Sequence, residues 1–127
     1  MSIVIIQYNA GNILSVANAL DRLGVRYEIS SDPKVIKRAG KVIFPGVGHA
    51  ASAMDFLKKS GIAPVIQELS CPFLGICLGM QLMCSYSEEG NTECLGIFDI
   101  QVKRFQTQLK VPHTGWNQVS HCSTGIF

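Results

Sequence analysis

Charge is what this 127-residue chain has least of: Lys, Arg, Asp and Glu make up 16% of it, against about 25% in ordinary soluble domains. A surface so poor in charge suggests a face covered by a partner, or core left unpaired by a cut in the chain. The formal net charge is only +2, and no Lys/Arg cluster builds a phosphate-binding stripe, so nucleic acid is not an expected partner. No apolar run approaches the ~18–20 residues needed to span a bilayer, and no basic leader precedes the first apolar segment, so neither membrane insertion nor secretion is expected. There is no Cys-x-x-Cys pair among Cys71, Cys77, Cys84, Cys94 and Cys122. An odd cysteine count without a leader points to a reduced, cytoplasmic protein. The spacing of Cys71, Cys77 and Cys84 does not close a zinc loop, so no metal and no cofactor is expected. Only three histidines occur, His49, His113 and His121, and none is followed two residues later by a carboxylate.

What is present is a regular alternation. Ile3–Ile6 is an unbroken run of β-branched residues, the pattern of a central parallel strand with both faces covered. Ile13, Val16, Ala17, Leu20 and Leu23 follow at helical spacing, with Asn12 as N-cap and Gly24 as stop. Residues 25–29 read as a strand. Asp32-Pro33 opens a helix that ends by Gly40. Lys41–Phe44 is a third strand, running into the loop Pro45-Gly46-Val47-Gly48. Ala50, Ala51, Met54 and Leu57 mark a helix closed by Gly61, and residues 62–69 a shorter amphipathic piece. Strand and helix in alternation predict an α/β fold with a mostly parallel central sheet and helices on both faces. Later the order loosens. Residues 87–92 read as an acidic loop, residues 95–98 as a compact turn or short strand, and Ile100, Val102 and Phe105 as a strand. The segment from Lys110 reads as a structured loop between extended pieces.

The chemistry concentrates at Gly75-Ile76-Cys77-Leu78-Gly79, between an apolar strand and an apolar run that reads as a helix. With serine at its centre this spacing is the nucleophile elbow, a strained strand-to-helix turn that lifts the nucleophile above the sheet. Flanking glycines are needed because neighbouring backbone comes too close for side chains. The mouth of a helix favours a thiolate, and its first N–H groups point to where an oxyanion forms. The same spacing also fits a buried core cysteine between two helix-packing glycines. The loop at residues 45–48, at a strand's carboxyl end, exposes N–H groups toward the crevice where such folds bind ligands, or is an ordinary tight turn.

A thiol nucleophile needs a general base, usually histidine. His49 reads as a solvent-facing residue at a helix start, His113 as structural or interfacial, and His121 as exposed. Cys84 and Cys94 read as small apolar core residues. Trp116 is either buried or turned to another subunit, since aromatics concentrate in interface cores.

The segment Gly75-Ile76-Cys77-Leu78-Gly79-Met80-Gln81 resembles the nucleophile segment of class I, triad-type glutamine amidotransferases, and Pro45-Gly46-Val47-Gly48 resembles their oxyanion strand. Residues 9–16, 95–98 and 112–117 further resemble the glutaminase subunits of imidazole glycerol phosphate synthases, of histidine biosynthesis. The resemblance implies a flavodoxin-like three-layer sandwich, here incomplete at its C-terminus. It implies Cys77 as nucleophile on glutamine, backbone N–H groups of Leu78 and Val47 for the oxyanion, and Gly46 and Gln81 as substrate-holding residues. Asn12, His113, Trp116 and Asn117 would face a (β/α)8-barrel cyclase in a heterodimer. That partner would take the ammonia to make imidazole glycerol phosphate and aminoimidazole carboxamide ribotide, and glutamine hydrolysis would be weak without it. Two departures stand out. Asn9-Ala10-Gly11 replaces the usual glycine-methionine-glycine turn, and the family's C-terminal His-x-Glu pair has no counterpart in the 127 residues. On that ground the chain is expected to be a fragment with little or no glutaminase activity, or a noncatalytic partner-binding module.

Overall fold

The structure, a computed structural model, describes residues 2–9 and 11–120. Its centre is a four-stranded parallel sheet in the order β2-β1-β3-β4. The strands are β1 (Ile3–Ile6), β2 (Tyr27–Ser30), β3 (Lys41–Phe44) and β4 (Phe73–Gly75). Between them run helices α1 (Ile13–Arg22), α2 (Pro33–Lys37), α3 (Ala50–Lys59) and α4 (Ile62–Glu68). This is the flavodoxin-like strand order, whose winding reverses between β1 and β3, the place where such sheets bind ligands.

The pleat of β1 explains the three layers, because successive side chains point to opposite faces. Ile5, with half-buried Ile3, packs against Ala17 and Leu20 of α1. Val4 and Ile6 face the other way, into a larger core with Ile36 of α2, Leu57 of α3 and Ile66 of α4. Phe44 of β3 is wholly buried in that core, stacked on Phe73 with ring centroids 5.9 Å apart. The α1 face is thinly covered: Ile43 and Leu74 are only half-buried and Ile29 is exposed.

The local signals at the helix ends act as expected. Asn12 Oδ1 accepts from Ser15 N at 3.3 Å. Asp32 Oδ1 accepts from Lys34 N at 2.8 Å, with Pro33 opening α2. An Asp32→Ala variant should lose about 1 kcal/mol of stability, the usual cost of an N-cap, measurable by urea unfolding. Gly24 and Gly61 close α1 and α3 in the left-handed conformation.

Beyond the elbow the structure departs from the sequence reading. Helix α5 (Leu78–Leu82) is one short turn and a half, and strand β5 (Cys84–Ser87) follows at once. That strand is the middle of a second sheet, antiparallel to β6 (Thr92–Glu93) and parallel to β7 (Phe98–Val102). Two partners supply β5 with ladder hydrogen bonds that the apolar run itself cannot announce, so pairing overrides helical spacing. The acidic loop shrinks to the turn at residues 88–91. Phe105 falls outside β7 and is exposed, and residues 103–120 carry neither helix nor strand.

Candidate active site

Three loops converge at the carboxyl ends of β1, β3 and β4. The elbow is the most constrained. Cys77 lies at φ 55°, ψ −117°, a backbone conformation costly for a residue with a side chain, and its side chain is exposed. Strain of this kind persists only where the surroundings over-determine it. Here Ile76 N donates to Phe44 O at 3.0 Å, Gly79 N to Ile76 O at 3.0 Å and Gln81 N to Cys77 O at 3.0 Å. Gly79 rests on β3: a Cβ there would stand 1.8 Å from Phe44 O. The glycine spacing of the motif therefore has the expected origin in backbone contact.

The Pro45-Gly46-Val47-Gly48 loop lies directly against this turn. Gly46 is buried, and an added Cβ would meet Tyr8 Oη at 2.2 Å and Gly79 N at 2.8 Å. Leu78 N donates to Gly46 O at 3.2 Å, so the first expected oxyanion donor is occupied by the loop's own carbonyl. Val47 is exposed.

Gln81, one helical turn beyond Cys77, lines a cleft of about 730 Å³ together with Glu88, Glu89, Lys103, Arg104 and Pro112. Cys77 is outside that lining. Glu89 also ties the cleft to α3, accepting from Ala50 N at 2.7 Å. Sequence reasoning placed the acidic loop without assigning it a role. It also passed over Tyr8, although Tyr8 stands at the carboxyl end of β1, where this class of fold binds ligands.

Neither described histidine is hydrogen-bonded to the thiol. His49 is the solvent-exposed N-cap of α3, its Nδ1 accepting from Ala51 N at 3.3 Å. His113 is exposed and its Nε2 lies 3.0 Å from Asn117 Nδ2. His121 and Cys122 lie outside the described residues. Trp116 is fully exposed among the described residues. Asn12 is exposed at the start of α1. Among the described residues no three His, Cys, Asp or Glu side chains gather to hold a metal ion, and no helix is long and apolar enough to cross a membrane.

The thiols are graded by burial. Cys84 is buried and Cys94 half-buried. Burial pushes both thiols above their ordinary pKa, for Cys94 with a further push from Cys84 and an opposing pull from Lys58. Both therefore hold less thiolate at a given pH than a free cysteine, and need more alkaline solution to react. Iodoacetamide at pH 7.5 should label Cys77 at least tenfold faster than Cys84 or Cys94, read by peptide mass mapping. Equal rates would contradict the elbow geometry.

A family model described as glutamine amidotransferase class-I matches residues 4–126. Similar curated proteins include several described as imidazole glycerol phosphate synthase subunit HisH. That of Bacteroides fragilis (strain YCH46) is 58% identical over 130 residues, covering 100% of this chain and 66% of the relative. That of Bacteroides thetaiotaomicron is 51% identical over the same shares. That of Moorella thermoacetica is 50% identical over 121 residues, 92% of this chain and 58% of the relative. The chain thus spans about 66% of the length of these two Bacteroides relatives.

Proposed function

The chain belongs to the class-I glutamine amidotransferase family, and from that premise we propose that it is the nucleophile-bearing part of a glutaminase that supplies ammonia for histidine biosynthesis. The observation that carries this reading is the strained, exposed Cys77 at an elbow whose next two residues, Leu78 and Gly79, pack against Gly46. Cys77 as thiolate attacks the carboxamide carbon of glutamine, and the carbonyl oxygen becomes an oxyanion. The C–N bond then breaks, the nitrogen takes a proton and leaves as ammonia, and water opens the thioester to glutamate. Gly46 and Gln81 hold the substrate.

The oxyanion needs the Leu78 N–H, and that donor is spent on Gly46 O at 3.2 Å. Turning the Gly46–Val47 peptide would free it and carry the Val47 N–H, the second donor of this reading, to the side the carbonyl now occupies. Such a loop gives a resting state of low activity, consistent with a glutaminase that waits for its partner. The resemblance implies a His-x-Glu pair as general base, a pair with no counterpart in the 127 residues, and neither His49 nor His113 is joined to Cys77 by a hydrogen bond.

The partner in this reading is the cyclase subunit, a (β/α)8 barrel forming a heterodimer in the cytoplasm. Asn12, His113, Trp116 and Asn117 form part of its docking face. Supporting this, Phe105, Leu109, Trp116 and Val119 are all bare, more apolar side chain than a segment gains from facing water.

A chloroketone built on the glutamine skeleton tests the reading. It should alkylate Cys77 in preference to Cys71, Cys84 and Cys94, and glutamine should slow it at least fivefold. Labelling that glutamine does not slow would sink the assignment.

A further inference from the structure

Tyr8 is buried to within 7% of its surface, and its hydroxyl has no hydrogen-bond partner among the described residues. A buried hydroxyl left unpaired costs stability, and phenylalanine would fill the same space without that cost. Its ring is held by Phe44, centroids 5.2 Å apart, which fixes where the oxygen stands. That place is the Gly46 loop. The point where a Gly46 Cβ would sit is 2.2 Å from Tyr8 Oη, 2.8 Å from Gly79 N and 2.9 Å from Leu78 Cβ. Hydroxyl, loop and elbow therefore meet at one spot beside the Gly46 Cα.

We propose that Tyr8 is a positioning residue whose hydroxyl donates to the Gly46 carbonyl when that carbonyl leaves the Leu78 N–H. The proposal rests on the amidotransferase reading for its purpose, but its geometry stands on the loop alone. Gly46 is buried, so its carbonyl needs a donor in either orientation. In the present orientation Leu78 N supplies one at 3.2 Å. The carbonyl oxygen swings about the Gly46 Cα–C bond, and Tyr8 Oη lies against that pivot. Rotation exchanges one donor for another, and the Leu78 N–H is released from the Gly46 carbonyl. The turn changes ψ of Gly46, and glycine there has no Cβ to oppose it. Burial, and then the charge of Cys77, raise the Tyr8 pKa, so the hydroxyl keeps its proton and remains a donor at any working pH.

The test compares Tyr8→Phe with the unchanged chain in three measurements. The first is hydrogen exchange of the Leu78 amide relative to the Ile43 amide, which reads the loop without any substrate. The second is alkylation of Cys77 by iodoacetamide, which reads the sulfur alone. The third is alkylation by the glutamine-shaped chloroketone, which also calls on the oxyanion donors. Loss of one hydrogen bond from the turned loop shifts its population about tenfold. Relative Leu78 exchange and chloroketone alkylation should both slow about tenfold, iodoacetamide alkylation should stay within twofold, and the melting temperature should hold or rise. Unchanged Leu78 exchange overturns the proposal, as does a parallel fall in both alkylation rates, which would mean a damaged elbow. Slower Leu78 exchange with no protection of Cys77 by glutamine would keep the Tyr8 device and overturn the amidotransferase reading instead.

Discussion

Replacing Gly79 by alanine should destabilise the fold by about 3 kcal/mol or more, the upper range for forcing extra volume into a packed site. The new methyl would stand 1.8 Å from Phe44 O. That oxygen belongs to the backbone of a central strand and already accepts from Ile76 N at 3.0 Å, so nothing near it is free to give way. Relief requires α5 to lift from β3, which carries Leu78 N away from Gly46 O and releases the strain at Cys77. The melting temperature should fall by ~10 °C in a domain of this size, and Cys77 should lose its labelling advantage over Cys84. Gly96→Ala is the control. Gly96 has nothing within 4 Å of an added Cβ and lies at φ +65°, so it should cost only the ~1 kcal/mol of left-handed strain. If the two variants melt together, contact with Phe44 O is not what holds the elbow in place.

The second large effect concerns turnover. The 127-residue chain by itself should release glutamate from glutamine at least ~10³-fold more slowly than an amidotransferase with its nucleophile, base and orienting acid all present, because removing one member of such a unit costs several powers of ten. The thiol is in place, but His49 is committed to capping α3 and His113 lies in an exposed loop beside Asn117. No described histidine is hydrogen-bonded to Cys77 to carry a proton to the leaving nitrogen. Adding the cyclase should not restore the rate, since a turned Gly46 loop supplies oxyanion donors and not a base. Glutamate release measured with and without the cyclase decides it. Turnover typical of a complete enzyme would require a base within these residues.

The legible parts of this protein share a cause. Ile3–Ile6 and Lys41–Phe44 are short apolar runs between turn residues, and Asn12 and Asp32 cap helices by hydrogen bonds to residues two or three positions away. These signals act within a turn of the chain, so sequence carries them. The elbow was readable for the same reason, its two glycines and its cysteine lying within five residues. The second sheet was not. Strand β5 exists because β6 and β7 pair with it, and the apolar spacing of residues 80–84 fits a longer helix equally well. Alternation extends the strand expectation to Phe105, which has no ladder to join among the described residues.

The sequence by itself determined the strand-to-helix turn around Cys77, the glycine loop opposite it and the alternation that builds a parallel sheet, because each is written in neighbouring residues. Only the tertiary structure decided that Leu78 N–H is held by the Gly46 carbonyl, that Tyr8 stands beneath that peptide with its hydroxyl unpaired, and that Trp116 faces outward. These are relations between residues 30 to 70 positions apart, or between one residue and solvent. The packing of β1, β3 and β4 creates them, and no local pattern of residues encodes the distance between them.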